Sequence, residues 1–173
     1  MRERTREIAF VGILIAMSVV LTRFASIRIA IGGIEGVRIG FGTFPIILSG
    51  ILFGPVLGAL TGALADIIGF ALSPMGPYFP HFTLTASLYG ILPGILVHFP
   101  LRSRTYRIFL AVVVPQIGVG CLLTPYFLHT LFDMPWKVLL IPRLISTPLN
   151  VLFYVLLLFS LSRVPLFAAL REQ

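Results

Sequence analysis

Charge is scarce in this 173-residue chain: only 11% of the residues are Asp, Glu, Lys or Arg, against 58% hydrophobic, and the mean hydropathy is +1.04. A water-soluble domain carries about 25% charged and about 45–50% apolar residues. A soluble fold is therefore excluded, and the chain is expected to be an all-α integral membrane protein. At about 20 residues per span, the length accommodates at most about seven or eight spans and leaves no room for a soluble domain. Residues 1–173 are expected to form a single membrane domain.

Other scarcities exclude particular chemistries. Lys137 is the sole lysine, and no Gly-x-x-x-x-Gly-Lys-Ser/Thr run occurs, so the chain has no phosphate loop with which to hydrolyse ATP. Cys121 is the single cysteine, which rules out an internal disulfide or a thiol metal site. It reads as a small apolar side chain in an apolar stretch. His81, His98 and His129 fall in three separate segments without a His-x-x-x-His or His-Glu pairing, so no metal site is expected. No Gly-x-Ser-x-Gly elbow is present. Asp66 and Asp133 are the only candidates for an intramembrane aspartyl pair sharing a proton, and Asp133 lies in a loop beside Phe132, Met134 and Pro135. The chain is not expected to be an enzyme or to carry a cofactor.

What charge there is leans positive, with a net +7. The arginines lie between apolar runs, a pattern of membrane topology rather than of nucleic-acid binding. The run Ile8 to Leu21 follows a basic start but lacks an Ala-x-Ala cleavage site, so it reads as an uncleaved first span. Six spans are expected, at roughly 8–24, 38–53, 55–72, 82–100, 107–128 and 138–162. Gly54-Pro55 divides the second from the third, a sequence that suits an abrupt helical hairpin because Gly ends one helix and Pro starts the next. Ser73 to His81 holds Pro74, Pro77 and Pro80, and is expected to be a stiff loop. Arg2, Arg4, Arg6, Arg102, Arg104, Arg107, Arg163 and Arg171 all fall on one side of this arrangement. By the positive-inside rule that side is cytoplasmic, and it holds both termini. Trp136, Tyr78 and Tyr126 are placed for an aromatic belt.

Ionisable and polar groups at membrane depth cost several kcal/mol unless they are paired or solvated in a cavity. Asp66 lies in the third span in register with Gly58 and Gly62, spaced by four on one helix face. Small residues at that spacing admit a neighbouring helix, so the carboxylate either pairs with an arginine between helices or meets a ligand. In the sixth span Arg143, Thr147, Asn150 and Tyr154 are spaced by four, three and four residues. A purely structural span needs no such stripe, whereas a pocket for a polar heteroaromatic ligand needs donors and acceptors among apolar walls. Arg23, Arg28 and Arg38, with Glu35 among them, bracket the first external link. Cations on the outer side are suited to attracting an anionic ligand.

Several stretches together resemble a known family. They are Ser18-Val-Val-Leu-Thr-Arg23-Phe24, Arg38-Ile-Gly-Phe41, Phe53-Gly-Pro-x-x-Gly58-Ala-x-x-Gly62-x-x-x-Asp66-x-x-Gly69, Pro74-x-Gly-Pro77-Tyr-Phe-Pro80 and Pro142-Arg143-Leu-Ile145. In this order, and over most of the chain, they resemble the folate-specific, FolT-type substrate-binding subunits (S components) of energy-coupling factor transporters. The resemblance implies a six-helix plasma-membrane subunit, of prokaryotic type, that captures a vitamin from outside and delivers it inward. Its energy would come from one membrane coupling protein and two ATPase subunits, in keeping with the missing phosphate loop. It implies docking to the coupling protein through Gly12 and Ala16, small residues four apart on the first helix. His81 departs from the family's pattern, which has a glycine there. On this resemblance Asp66 and Asn150 would meet the amino-pyrimidinone edge of folate, Tyr78 and Phe79 would cover its rings, and the external arginines Arg23 and Arg38 would meet its glutamate, with Arg143 also in the site. The rival readings are the same architecture loaded with thiamin, biotin or riboflavin, and an intramembrane enzyme.

Overall fold

The computed structural model describes residues 2–24, 27–28, 38–72, 74, 77–100 and 103–162. Glu35, Arg102, Arg163 and Arg171 lie outside the described residues, and Arg28 and Arg38 are described by their backbone alone. In chain order the elements are α1 (Arg2–Phe24), the two-residue strands β1 (Ile27–Arg28) and β2 (Arg38–Ile39), α2 (Thr43–Leu72), α3 (Pro80–His98), α4 (Arg104–Pro115), a π-helix (Gln116–Leu123), α5 (Thr124–Phe132) and α6 (Trp136–Ser162). Among the described residues, five helical stretches are long and apolar enough to cross a membrane: 5–23, 43–72, 80–98, 105–132 and 136–161. Their outward faces are apolar, with Val56 and Leu72 each 70% exposed, as suits contact with lipid rather than water.

The second stretch is not one rod. Gly54 has φ 85 and ψ 178, outside the helical region and in a conformation open to glycine. Pro55 then starts the second limb, its missing N–H falling where a first turn needs none. The limbs fold back on each other: Ser49 Oγ lies 2.7 Å from Thr61 Oγ1, and a Cβ on Gly58 would stand 2.7 Å from Gly50 Cα. α3 wedges into this hairpin through Ala86, Gly90 and Gly94. A Cβ on Gly90 would come 2.8 Å from Gly58 Cα, nearer than any real side chain approaches. Backbone-to-backbone contact of this kind is how membrane helices associate where lipid offers no hydrophobic drive. The larger core, with Leu14, Ile47, Val97, Val112, Tyr154 and Leu158, fills the space between α1, α2, α3, α4 and α6.

The second helix, expected from about residue 38, begins at Thr43. Residues 38–39 pair instead with 27–28 as an antiparallel ribbon, with Arg28 opposite Arg38 and Ile27 opposite Ile39. The first limb of α2 is then 43–53, about 16 Å long, half the hydrocarbon thickness. The preceding non-helical backbone runs among the helices, where its carbonyls need donors from protein. Two side chains supply them: Ser18 Oγ donates to Gly42 O at 2.7 Å, and Tyr154 Oη donates to Gly40 O. Both are buried, from α1 and α6 respectively.

Candidate functional site

At one end of the bundle α1, α2, α3 and the residues just before α3 contribute four polar side chains. Asp66 continues the Gly58-Gly62 face of α2 one turn past the place where Gly62 meets Ala86. Thr83 of α3 donates from Oγ1 to Asp66 Oδ2 at 2.6 Å. Its single proton is used there, so Tyr78 Oη, 2.5 Å from Thr83 Oγ1, is the donor in the next link. Tyr78 stands against Phe70, with ring centroids 5.2 Å apart, and keeps 41% of its surface exposed. Arg23, in the last turn of α1, donates from one guanidinium nitrogen to Gly69 O, while its Nε is buried without a partner. Among the described residues, no arginine or lysine forms an ion pair with Asp66. Phe79 belongs to an aromatic seam between α3 and α5, 5.1 Å from Phe132 and 6.3 Å from Phe82, and beside it His81 lies 4.9 Å from Phe127.

The polar stripe of α6 faces the π-helix and the segment before α2. Pro115 removes one amide donor at the start of that segment, and the chain closes i→i+5 rings over eight residues. Wide turns of this kind are frequent at functional sites because they turn side chains and carbonyls away from their helical directions. Gly120 is the meeting point. Arg143 donates to its carbonyl, a Cβ there would lie 2.7 Å from Tyr89 Oη, and Gln116 Oε1 is 3.7 Å from the same position. Thr147 Oγ1 is 3.2 Å from Cys121 Sγ, so the lone cysteine is a buried partner of the stripe. Tyr154 is fully buried and tied to Gly40. Asn150 differs: its Oδ1 is buried with no hydrogen-bond partner. Buried acceptors are nearly always satisfied, so an orphan on this face is suited to a donor brought by a ligand.

The residues singled out from sequence thus fall into two groups. Asp66, Tyr78 and Arg23 gather about one end of α2 and α3, and Arg143, Thr147, Asn150 and Tyr154 line α6. No hydrogen bond or ring contact among the described residues joins Asp66 to Asn150. Thr83, Tyr89 and Gln116 escaped the sequence reading. Thr83 and Tyr89 are ordinary residues in an apolar helix, and only a partner from another element gives them meaning. Pro115 with Gly118 and Gly120 was the one available signal for the π-helix that places Gln116.

Gly12 and Ala16 are both exposed on α1, and nothing stands within 4 Å of a Cβ built on Gly12. That surface is open and small-sided.

Comparison with known proteins gives this arrangement a family. The family profile described as ECF-type riboflavin transporter, S component, matches residues 2–169. The folate transporter FolT of Clostridium novyi (strain NT) is 32% identical over 144 residues, covering 83% of this chain and 80% of that protein. The chain belongs to the S components of ECF transporters, of the FolT type. The S component is a transport subunit of the membrane, not an enzyme. A second relative, the folate transporter FolT of Leuconostoc mesenteroides subsp. mesenteroides, is 24% identical over 147 residues, 82% of this chain and 76% of the other. Among solved structures, FolT bound with folic acid superposes with a TM-score of 0.71 at 31% identity, covering 86% of this chain and 87% of the other. The S component of a bacterial ECF transporter shares the fold with a TM-score of 0.65 at 20% identity over 92% and 96% of the two chains.

Proposed function

We propose that this S component binds folate at the outer face of a prokaryotic plasma membrane and delivers it inward when docked to an energy-coupling module. That module would consist of one transmembrane coupling protein and two ATPase subunits. The observation that carries the reading is the 31% identity and shared fold with FolT bound with folic acid. The family profile is described by riboflavin, whereas both curated relatives above are folate transporters. A folate, unlike riboflavin, has a dianionic tail, and the external arginines are its natural counterpart.

On this reading residues 1–173 form a single membrane domain that crosses the bilayer six times, with both termini in the cytoplasm. The hairpin at Gly54 supports the even count, because it divides the five long stretches into six limbs. Asp66 and Asn150 accept from the amino-pyrimidinone edge, so the pterin links two walls that the protein leaves unjoined. Tyr78 and Phe79 cover the rings. Arg23, whose Nε is unengaged, and Arg38 meet the glutamate carboxylates. Arg143 presents its remaining donors beside Tyr89. Gly12 and Ala16 let the coupling protein approach α1 closely.

The test is a titration of the purified protein with folic acid, riboflavin, thiamin and biotin, beside extraction of whatever ligand co-purifies. Saturable binding of folic acid above the other three is the expected result. Tighter binding of riboflavin would overturn the folate assignment while leaving the S-component architecture in place.

A further inference from the structure

α6 is held to the bundle in two different ways along its length. Its residues in the larger core all lie at 151 or beyond, with Tyr154 and Leu158 buried there. Before that point, among the described residues, its side-chain hydrogen bonds to other elements go to the π-helix: Arg143 donates to Gly120 O, and Thr147 Oγ1 lies 3.2 Å from Cys121 Sγ. The backbone contact that joins α2 to α3 is missing at this seam. A Cβ on Gly90 would meet the Gly58 backbone, whereas one on Gly120 would meet side-chain ends, Tyr89 Oη at 2.7 Å and Gln116 Oε1 at 3.7 Å. Pro142 and Pro148 bracket the two linked residues of α6. Each lacks the amide proton that would bond the carbonyl four residues back, and prolines are where helices bend. The closed seam also has a cost, because Asn150, two residues past Pro148, keeps its Oδ1 buried without a partner.

We infer that residues 143–147 are a strap latched to the π-helix at Gly120 and Cys121, and that its unlatching, by bending at Pro142 and Pro148, sets the rate at which ligand enters and leaves the seam beside Asn150. This rests on the folate reading above, which puts the ligand against Asn150. Both ends of the strap's helix stay tied, Trp136 to His129 with ring centroids 4.8 Å apart and Tyr154 in the core. The strap therefore bows rather than swings away. A latch that slows entry and exit alike changes exchange rates and leaves affinity nearly constant.

Because Cys121 is the sole cysteine, Thr147→Cys creates a single possible thiol pair, which copper phenanthroline oxidises to a disulfide and dithiothreitol reduces again. On one purified preparation, uptake and release of folic acid by the oxidised protein should each be about tenfold or more slower than by the reduced protein, with affinity within about threefold. Ser49→Cys with Thr61→Cys and Cys121→Ser staples the two limbs of α2, where the native hydroxyls are 2.7 Å apart, and should leave both rates within about twofold. A second arm needs no ligand: Arg143→Met should speed the reaction of Cys121 with N-ethylmaleimide about tenfold or more below the unfolding temperature, and Ser49→Ala should not. Exchange that ignores the 121–147 disulfide, equal slowing by the α2 staple, no disulfide at all, or equal labelling of wild type and Arg143→Met would overturn the inference. Wild-type and reduced proteins that bind no folic acid would refute the folate reading instead, and the labelling arm then decides the strap by itself.

Discussion

Replacing Asp66 by asparagine separates two roles that a carboxylate in a helix seam can play. In the empty protein its one described partner is Thr83, at 2.6 Å. An asparagine carbonyl can accept the same bond, so the Tyr78–Thr83–66 chain survives with a neutral acceptor. A hydrogen bond to a charged group is worth about 1.5–3 kcal/mol and one between neutral groups about 0.5–1.5, so the empty protein should lose only about 1 kcal/mol. Toward folate the change is larger. The carboxylate that accepts pterin N–H groups becomes an amide whose own donors can face them, and losing a charge-assisted bond worth about 1.5–3 kcal/mol weakens binding about tenfold to more than a hundredfold. Thr83→Val is the companion variant. It keeps the charge but removes the hydroxyl that orients it; the carboxylate can still accept from the pterin, so binding should weaken less than in Asp66→Asn, by roughly twofold to tenfold, or about 0.5–1.5 kcal/mol. Folic acid titrations and unfolding curves on the same preparations decide the matter. An Asp66→Asn protein that binds folic acid as wild type does but unfolds markedly earlier would show that Asp66 serves α2–α3 packing alone.

Three further expectations are independent of Asp66. Gly90→Ala and Gly12→Ala make the same chemical change in opposite surroundings. The first drives a Cβ into the Gly58 backbone and should destabilise by about 1–3 kcal/mol, as overpacking does, whereas the second enters open space and should gain up to about 1 kcal/mol of helix propensity; similar melting temperatures for the two would contradict the packing described. Gly12→Leu with Ala16→Leu should abolish folate uptake by the assembled transporter and leave binding by the isolated subunit nearly intact, and a parallel loss of both would place these residues in internal packing. Vesicles containing this chain alone should bind folic acid but not concentrate it on addition of ATP, since the sequence has no phosphate loop; ATP-driven accumulation would refute the subunit assignment.

How much of this could be read from residues alone depends on the range of the interaction. The membrane class follows from composition, because a chain with 11% charge and 58% apolar residues cannot dissolve its surface in water. The break at Gly54-Pro55 is also legible, since a donor-less residue after a glycine is a local backbone fact that no tertiary contact reverses. The Gly58-Gly62-Asp66 face was readable as a packing face, but not its partner. Which helix supplies Gly90, and whether Asp66 meets an arginine or Thr83, depends on how α3 lies against α2. The same limit explains the ribbon at 38–39. Its residues suit a helix start as well as a strand, and the choice falls to Ser18 and Tyr154, which satisfy carbonyls from 24 and 114 residues away. The α6 stripe shows the division most sharply. The spacing of 143, 147, 150 and 154 on one helix face is fixed by the 3.6-residue period. Which of those four groups is already engaged, and which has an acceptor left over for a ligand, depends on carbonyls and side chains that only folding brings beside them.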